Sequence, residues 1–359
     1  MAQSPAALRR RLLGWYRRAG RDLPCRRNRD PYRVWVSEVM LQQTTVRAVV
    51  PYYERFLERY PTVAALAAAP EEDVLAVWSG LGYYHRARNL LRGARHVAAH
   101  HGGRFPATLE AALAVPGVGL YTASAILSIA HGVSLPVVDG NVRRVLSRLY
   151  ALRGAKWQKD APYYIRAEEM LDRDSPGDWN QAVMELGATI CLPRRPACPV
   201  CPLRSSCRAA AEGLQDELPE KRERRAPVDV TVAAAVLESD GRFLLVRRRE
   251  GRLMGRMWEV PQTSLEGRGL ADLASQLLSV HGLHVVPGAL LSCGRNAITY
   301  RRIRIEAYRA RLRRRPPEDP ERFRWVSPAE LASLPISSLT RKVIAGARRP
   351  QMALPLEGA

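Results

Sequence analysis

Val115-Pro116-Gly117-Val118-Gly119-Leu120-Tyr121-Thr122-Ala123 runs directly into Ser124-Ala125-Ile126-Leu127-Ser128-Ile129-Ala130, and Asp139-Gly140-Asn141 follows shortly after. Two glycines two residues apart permit positive φ and let another backbone approach closely. The stretch behind them is small and apolar enough to form a buried helix. A glycine-rich turn opening a helix presents free N–H groups and the positive end of the helix dipole, a setting that suits a phosphate. Taken alone, the turn fits a Pro-Gly connection between two core helices equally well, so the rest of the chain has to decide.

At 359 residues the chain is long enough for two domains, and 47% hydrophobic residues support packed cores in both. Its 56 Lys+Arg against 35 Asp+Glu give a formal charge of +21, spread over both halves. That balance points to a polyanionic partner tracked along a surface. All but four of the basic residues are arginine, so a merely arginine-rich, solvated surface is the competing reading. No apolar run approaches the ~18 residues of a membrane span. The arginine-rich N-terminus lacks an acid until Asp22, as a transit peptide does; Leu8, Leu12, Trp15 and Tyr16 share one helical face, which favours a packed first helix.

Helical periodicity recurs to about residue 190, broken at Tyr60-Pro61, Gly80-Leu81-Gly82, His101-Gly102-Gly103 and Pro116-Gly117. Asp30-Pro31 opens a helix that the pattern carries through Thr44 toward Val50. Residues 1–217 therefore read as an all-α domain, and 218–227 as a charged linker. Residues 228–350 read as an α+β domain and 351–359 as a tail. In the α+β part, Val228–Leu237 and Arg242–Val246 flank the hairpin turn Asp240-Gly241; Leu270–Val280 is helical, Ile298–Arg311 strand-like, and a last helix follows Thr340.

Four of the six cysteines form the cluster Cys191-x6-Cys198-x2-Cys201-x5-Cys207, punctuated by Pro193, Pro196, Pro199 and Pro202. Such crowding argues for a metal site in a reducing compartment over disulfides. Four thiolates suit a [4Fe–4S] cluster or structural zinc, and spacing alone leaves both open.

Taken with Ser37-Glu38-Val39-Met40-Leu41-Gln42-Gln43-Thr44, Gly80-Leu81-Gly82-Tyr83-Tyr84, Val115-Pro116-Gly117-Val118-Gly119 and Val138-Asp139-Gly140-Asn141-Val142, the cysteine spacing resembles the MutY family of adenine DNA glycosylases. That family lies within the helix-hairpin-helix superfamily of endonuclease III. The resemblance is close over residues 1–215 and weaker beyond. It implies a [4Fe–4S] cluster on Cys191, Cys198, Cys201 and Cys207, whose loop offers Arg194, Arg195 and Arg204 to phosphates. It implies a bacterial cytoplasmic monomer that removes adenine mispaired with 8-oxoguanine or guanine from double-stranded DNA.

The residues make sense for that chemistry. Breaking a purine–deoxyribose bond needs a proton on the base and shelter for an oxocarbenium-like sugar. Glu38, if helical, has Val34, Trp35 and Leu41 three or four positions away, and such a desolvated carboxyl should hold its proton. Asp139 stands at a helix start, where amides and dipole favour the ionised form that stabilises or traps the sugar. By resemblance Asn141 orients it. Bifunctional relatives carry a Schiff-base lysine where this chain has Tyr121, so base excision without an efficient lyase step is expected.

An enzyme acting on a base inside a duplex must flip it out and fill the gap. By resemblance Gln43 and Tyr83 enter the stack, Leu81 supports them, and Thr44 contacts 8-oxoguanine. Arg26 and Glu185 take the adenine side, and Gly117 and Gly119 meet phosphate. Leu23-Pro24-Cys25-Arg26 departs from the family, which usually has tryptophan at the cysteine's place. The α+β domain resembles the family's Nudix-like reader of 8-oxoguanine through Met257-Trp258-Glu259-Val260-Pro261 and Arg322–Leu331. Its helix Leu270–Leu277 has one acid, too few to hold magnesium for hydrolysis. The recognition loop falls at Asn296-Ala297-Ile298-Thr299-Tyr300, where Asn296 and Tyr300 replace two histidines and Thr299 keeps a hydroxyl. An endonuclease III-like pyrimidine glycosylase/lyase, a DNA-damage-binding module without catalysis and a nucleotide pyrophosphatase are the competing readings. Tyr121, the Glu38–Asp139 pair and the missing carboxylates disfavour them in turn.

Overall fold

The computed structural model describes residues 4–153, 161–220, 226–249, 255–265, 270–298, 300–316 and 319–348. The chain packs as two compact units, residues 1–69 with 86–223 and residues 70–85 with 224–359. No helix among the described residues is long and apolar enough to cross a membrane.

Every regular element among the first unit's described residues is a helix. Its centre is the helix Leu120–His131, whose residues Thr122 to Ile129 are all buried. It is capped at its end by Gly132 in the left-handed conformation (φ 69°). The helices Pro31–Leu41 and Pro176–Thr189 pack against it. Close approach is built in, since a Cβ on Gly177 would stand 2.6 Å from the Ser128 carbonyl oxygen. A second layer joins Pro5–Ala19, Gly140–Leu149 and Pro176–Thr189 through Leu12, Leu146, Leu149, Trp179 and Leu186.

The helix expected to run on toward Val50 instead ends at Leu41, and a new one spans Val46–Arg59. The cause is a side chain from far along the sequence. Buried Arg86 donates to the carbonyls of Val39 (3.0 Å), Met40 (2.7 Å) and Gln42 (2.6 Å), and to Thr44 Oγ1 (3.1 Å). It thereby takes the carbonyls that helix termination orphans. Gln43 follows in the left-handed region at φ 56°.

The second unit is a mixed sheet of β1 (Val228–Ser239), β2 (Arg242–Arg247), β3 (Trp258–Glu259), β4 (Gln262–Leu265), β5 (Val285–Ile298), β6 (Arg301–Leu312) and β7 (Phe323–Val326). The strand order is β3-β2-β1-β6-β5, with β4 on β1 and β7 on β2. β1 and β2 meet at Asp240-Gly241, both at positive φ as a tight hairpin turn requires. Alternate residues of β1 serve two cores. Ala233, Ala235 and Leu237 pack with Leu273 and Leu277 of the helix Leu270–His281; Ala234 and Val236 pack with Val343 and Ile344 of Ser338–Ala347. The stretch Ile298–Arg311, expected as one strand, takes in the last residue of β5 and most of β6, which begins at Arg301. β5 itself was not foreseen, because Pro287, Gly288 and Gly294 interrupt its strand pattern; its pairing with β6 shifts register near Leu290.

Candidate active site

Glu38 projects from Pro31–Leu41, Tyr121 from the first turn of Leu120–His131, and Asp139 caps Gly140–Leu149. These three helices bring them to one cavity of about 460 Å³, lined also by Asn141, Thr44 and Glu185. The Tyr121 hydroxyl donates to Glu38 Oε2 at 2.7 Å. Glu38 is 7% exposed, and burial raises its pKa from 4.5 to about 7. The Tyr121 hydrogen bond opposes the shift, and the charge of Asp139 adds to it. Half of such groups hold a proton near neutral pH.

Asp139 is also buried but has more donors around it. Its Oδ1 accepts the Val142 N–H at 2.7 Å, as an N-cap should, and its Oδ2 accepts Asn141 Nδ2 at 2.9 Å. The expected pull of the amides toward the ionised form is present, and burial acts against it. Burial outweighs the two donors and moves its pKa upward, while the amides and Arg144 pull it back. Asn141 is itself fixed, because its Oδ1 accepts from Arg144 Nη2 at 2.8 Å. The same guanidinium donates to the carbonyls of Gly187 (2.8 Å) and Cys191 (2.7 Å). Glycine is needed at 187, since a Cβ there would lie 2.6 Å from the Cβ of Asn141.

Glu185 is fully buried at the cavity wall and closed by two arginines. Arg21 binds it through Nε (2.6 Å) and Nη2 (2.8 Å), and Arg26 through Nη2 (2.8 Å). Burial alone would push its pKa up; the bonds and charges of the two guanidiniums hold it below the usual carboxylate range. Cys25 lies on the same wall, its thiol pushed up by burial. Thr44 reaches the cavity, whereas Gln43 is exposed in its left-handed turn.

Gly117 needs its glycine twice over, at φ 83° and with a Cβ that would meet that of Asn89 at 2.5 Å. Gly119 caps Leu120–His131 with open space where a side chain would stand. Leu81 and Tyr83 belong to the second unit. Leu81 is buried, while Tyr83 is exposed at φ 50°, in a region costly for a bulky residue. Thr299 lies outside the described residues. Sequence reasoning missed Arg21, Arg86, Arg144 and Arg148. In a chain this rich in arginine, nothing local marks the few that are turned inward.

The cysteine loop follows Pro176–Thr189, and Cys191, Cys201 and Cys207 pack on the helical core. Buried Arg148 donates to Cys191 Sγ (3.3 Å), to the Leu192 carbonyl (2.7 Å) and to the Leu218 carbonyl (2.8 Å). Cys201 lies within electrostatic reach of the other three thiols. Among the described residues, no three His, Cys, Asp or Glu side chains converge tightly enough to hold one ion. Four thiols gathered in one loop, with a guanidinium donating to Cys191 Sγ, are the kind of donor set that a four-thiolate metal group takes.

Residues 36–166 match the HhH-GPD superfamily of base excision DNA repair proteins, and residues 232–346 match the NUDIX domain. The adenine DNA glycosylase of Rattus norvegicus is 40% identical over 317 residues, covering 73% of this chain and 61% of the rat protein. That of Homo sapiens is 39% identical, with 58% of its length covered, so the chain spans about three fifths of these two relatives. That of Buchnera aphidicola (subsp. Acyrthosiphon pisum, strain APS) is 32% identical over 273 residues, covering 75% of this chain and 78% of the relative. A thermostable thymine-DNA glycosylase superposes with TM-score 0.54 and 29% identity, over 58% of this chain and 97% of its own. A non-covalent endonuclease III–DNA complex shares the fold at TM-score 0.51 and 23% identity, over 59% of this chain and 99% of its own.

Proposed function

The chain belongs to the adenine DNA glycosylase family, and from that premise we propose that it hydrolyses the N-glycosidic bond of adenine mispaired with 8-oxoguanine or guanine in duplex DNA. The observation that carries the reading is the pairing of two buried carboxyls with unlike surroundings around one cavity. Protonated Glu38 gives its proton to a ring nitrogen of the flipped adenine. The C1′–N9 bond then breaks, its electron pair leaves with the base, and an oxocarbenium-like sugar remains. Ionised Asp139, oriented by Asn141, faces that cation or forms a transient ester with it, and water completes the exchange. Tyr121 holds the Glu38 carboxyl through its 2.7 Å bond. Glu185, with Arg26, reads the adenine edge.

A phenol cannot form an imine, so excision ends at an abasic site. Of the four lysines, Lys156, Lys159 and Lys221 lie outside the described residues, and Lys342 belongs to the second unit. Gln43 and Tyr83 fill the stack, Leu81 supports them, and Thr44 meets the 8-oxoguanine. Gly117 and Gly119 offer a helix N-terminus to phosphate. The Nudix-like unit reads the oxidised base through residues 296–300, with Asn296 and Tyr300 where the family has histidines and Thr299 as hydroxyl donor.

Cys191, Cys198, Cys201 and Cys207 hold a [4Fe–4S] cluster in this reading, and the group supplies a rigid four-point tie for its loop. Exposed Arg194, Arg195 and Arg204 then face the DNA backbone. The test uses three duplexes: A opposite 8-oxoguanine, A opposite G, and thymine glycol opposite A. Breaks on the first two that appear only after alkali are expected. Alkali-independent cleavage at thymine glycol would favour an endonuclease III-like lyase instead.

A further inference from the structure

Residues 70–85 interrupt the helical unit in sequence yet pack with residues 224–359. Their first helix, Glu71–Val77, presents Glu72 to Trp258 of β3. The Trp258 ring is 1% exposed in the core of this unit, and a buried indole N–H needs an acceptor. That acceptor is Glu72 Oε1, at 3.0 Å from Nε1. The guanidiniums of Arg247 and Arg324 lie over the same indole, 5.6 and 5.3 Å from its ring centre. Both also face the Glu72 carboxylate, at 3.6 and 3.4 Å. One carboxylate therefore satisfies a buried donor and balances two adjacent cations.

A second tie lies at the other end of the segment. Ser79 Oγ donates to the Ile336 carbonyl at 2.9 Å and accepts from Arg341 Nη2 at 3.2 Å. Directly after it comes Gly80-Leu81-Gly82-Tyr83-Tyr84, with Gly80, Gly82 and Tyr83 all at positive φ (102°, 77° and 50°). The loop is closed on itself by Trp78 Nε1 to the Gly82 carbonyl (3.0 Å) and by the Gly80 N–H to the Tyr84 hydroxyl (3.1 Å). Such a conformation persists only where its surroundings over-determine it.

We propose that Glu72 is a positioning residue through which the Nudix-like unit holds the 80–84 loop, and with it Tyr83, in the shape that enters the DNA stack. The proposal rests on the reading that Tyr83 fills the gap left by the flipped base. The sheet unit then acts on excision mechanically, apart from any contact it makes with 8-oxoguanine.

The test uses the full chain, with Glu72→Ala, Glu72→Gln, Trp258→Phe, Tyr83→Ala and the double variant Glu72→Ala/Tyr83→Ala. In DNA-free protein, amide exchange at residues 79–84 should speed up about tenfold in Glu72→Ala, and less in Trp258→Phe, which loses the N–H and keeps the packing. Single-turnover excision of adenine opposite 8-oxoguanine should slow roughly tenfold in Glu72→Ala, the scale expected of a misplaced positioning group. Glu72→Gln, which keeps an acceptor for Trp258, should recover part of that loss. The double variant should be no slower than Tyr83→Ala, because a loop without its wedge has nothing left to position. Unchanged exchange at 79–84, faster exchange with an unchanged rate, or multiplied losses in the double variant would each overturn the proposal. A wild-type chain inert on the mispair fails the functional reading instead, while exchange still reports on the Glu72 tie.

Discussion

In the proposed mechanism most of the chemistry turns on Glu38, and its burial has two separable consequences. The folded protein binds its proton more tightly than the unfolded chain, with the pKa moved from 4.5 to about 7. Stability on this account is therefore fullest below pH 4.5 and falls as pH rises to about 7, by about 3 kcal/mol at 1.36 kcal/mol per pH unit. Glu38→Gln carries no such anion, so its melting temperature should exceed that of the wild type at pH 8, and the gap should close toward pH 5. Tyr121 gives a second handle. Its hydrogen bond lowers the Glu38 pKa, so Tyr121→Phe should shift the alkaline fall in excision rate to higher pH. Tyr121→Lys sets an amine beside Glu38; protonated, it pairs with that carboxylate and excision should be lost, while its neutral form should attack the aldehyde of a pre-made abasic site, lose water and give a borohydride-trapped adduct. Glu38, Asp139 and Tyr121, which line one cavity, were picked out by the family resemblance. Arg21, Arg144 and the upward shift of Asp139 were not, since each depends on which distant side chain or how much protein covers a group.

Among the elements, the break after Leu41 shows most plainly what local pattern leaves out. Ser37 to Thr44 reads as continuous helix, and only Arg86, more than forty residues later, takes the carbonyls that end it. Arg86→Met would strand those acceptors in a buried site. It should cost about 3 kcal/mol, read as a lower urea midpoint at constant slope, and displace Thr44 from the cavity rim. The buried helix Leu120–His131 and the β1–β2 hairpin were readable, since apolar period and an Asp-Gly turn are local signals. β5 was not, because its proline and glycines look like loop until β6 pairs with them. The cysteine spacing predicts a metal site and is silent on nuclearity. Iron and sulfide should be lost on changing any of Cys191, Cys198, Cys201 or Cys207 to serine, and retained in Cys25→Ser and Cys293→Ser. Zinc in a colourless, active protein would refute the cluster.

For the whole molecule, the +21 formal charge bears on the proposed function through its attraction for a polyanion. Affinity for duplex should fall steeply with salt, as counterions released on binding return to the DNA. A flat response across a few-fold rise in salt would reduce the charge to composition. Sequence alone indicated two folds in order; it gave no hint that residues 70–85 pack with the sheet unit, because no helical pattern says which core will receive its face. The central claim, that buried Glu38 is the proton donor for adenine release, is tested most directly by single-turnover excision on an A:8-oxoguanine duplex between pH 5 and 9. The expected profile falls about tenfold per pH unit above about 7, and Glu38→Gln lies some 10²–10⁴-fold lower while still binding the duplex. A wild-type rate that climbs through neutral pH, or a Glu38→Gln rate at a double-digit percentage of wild type, would contradict it.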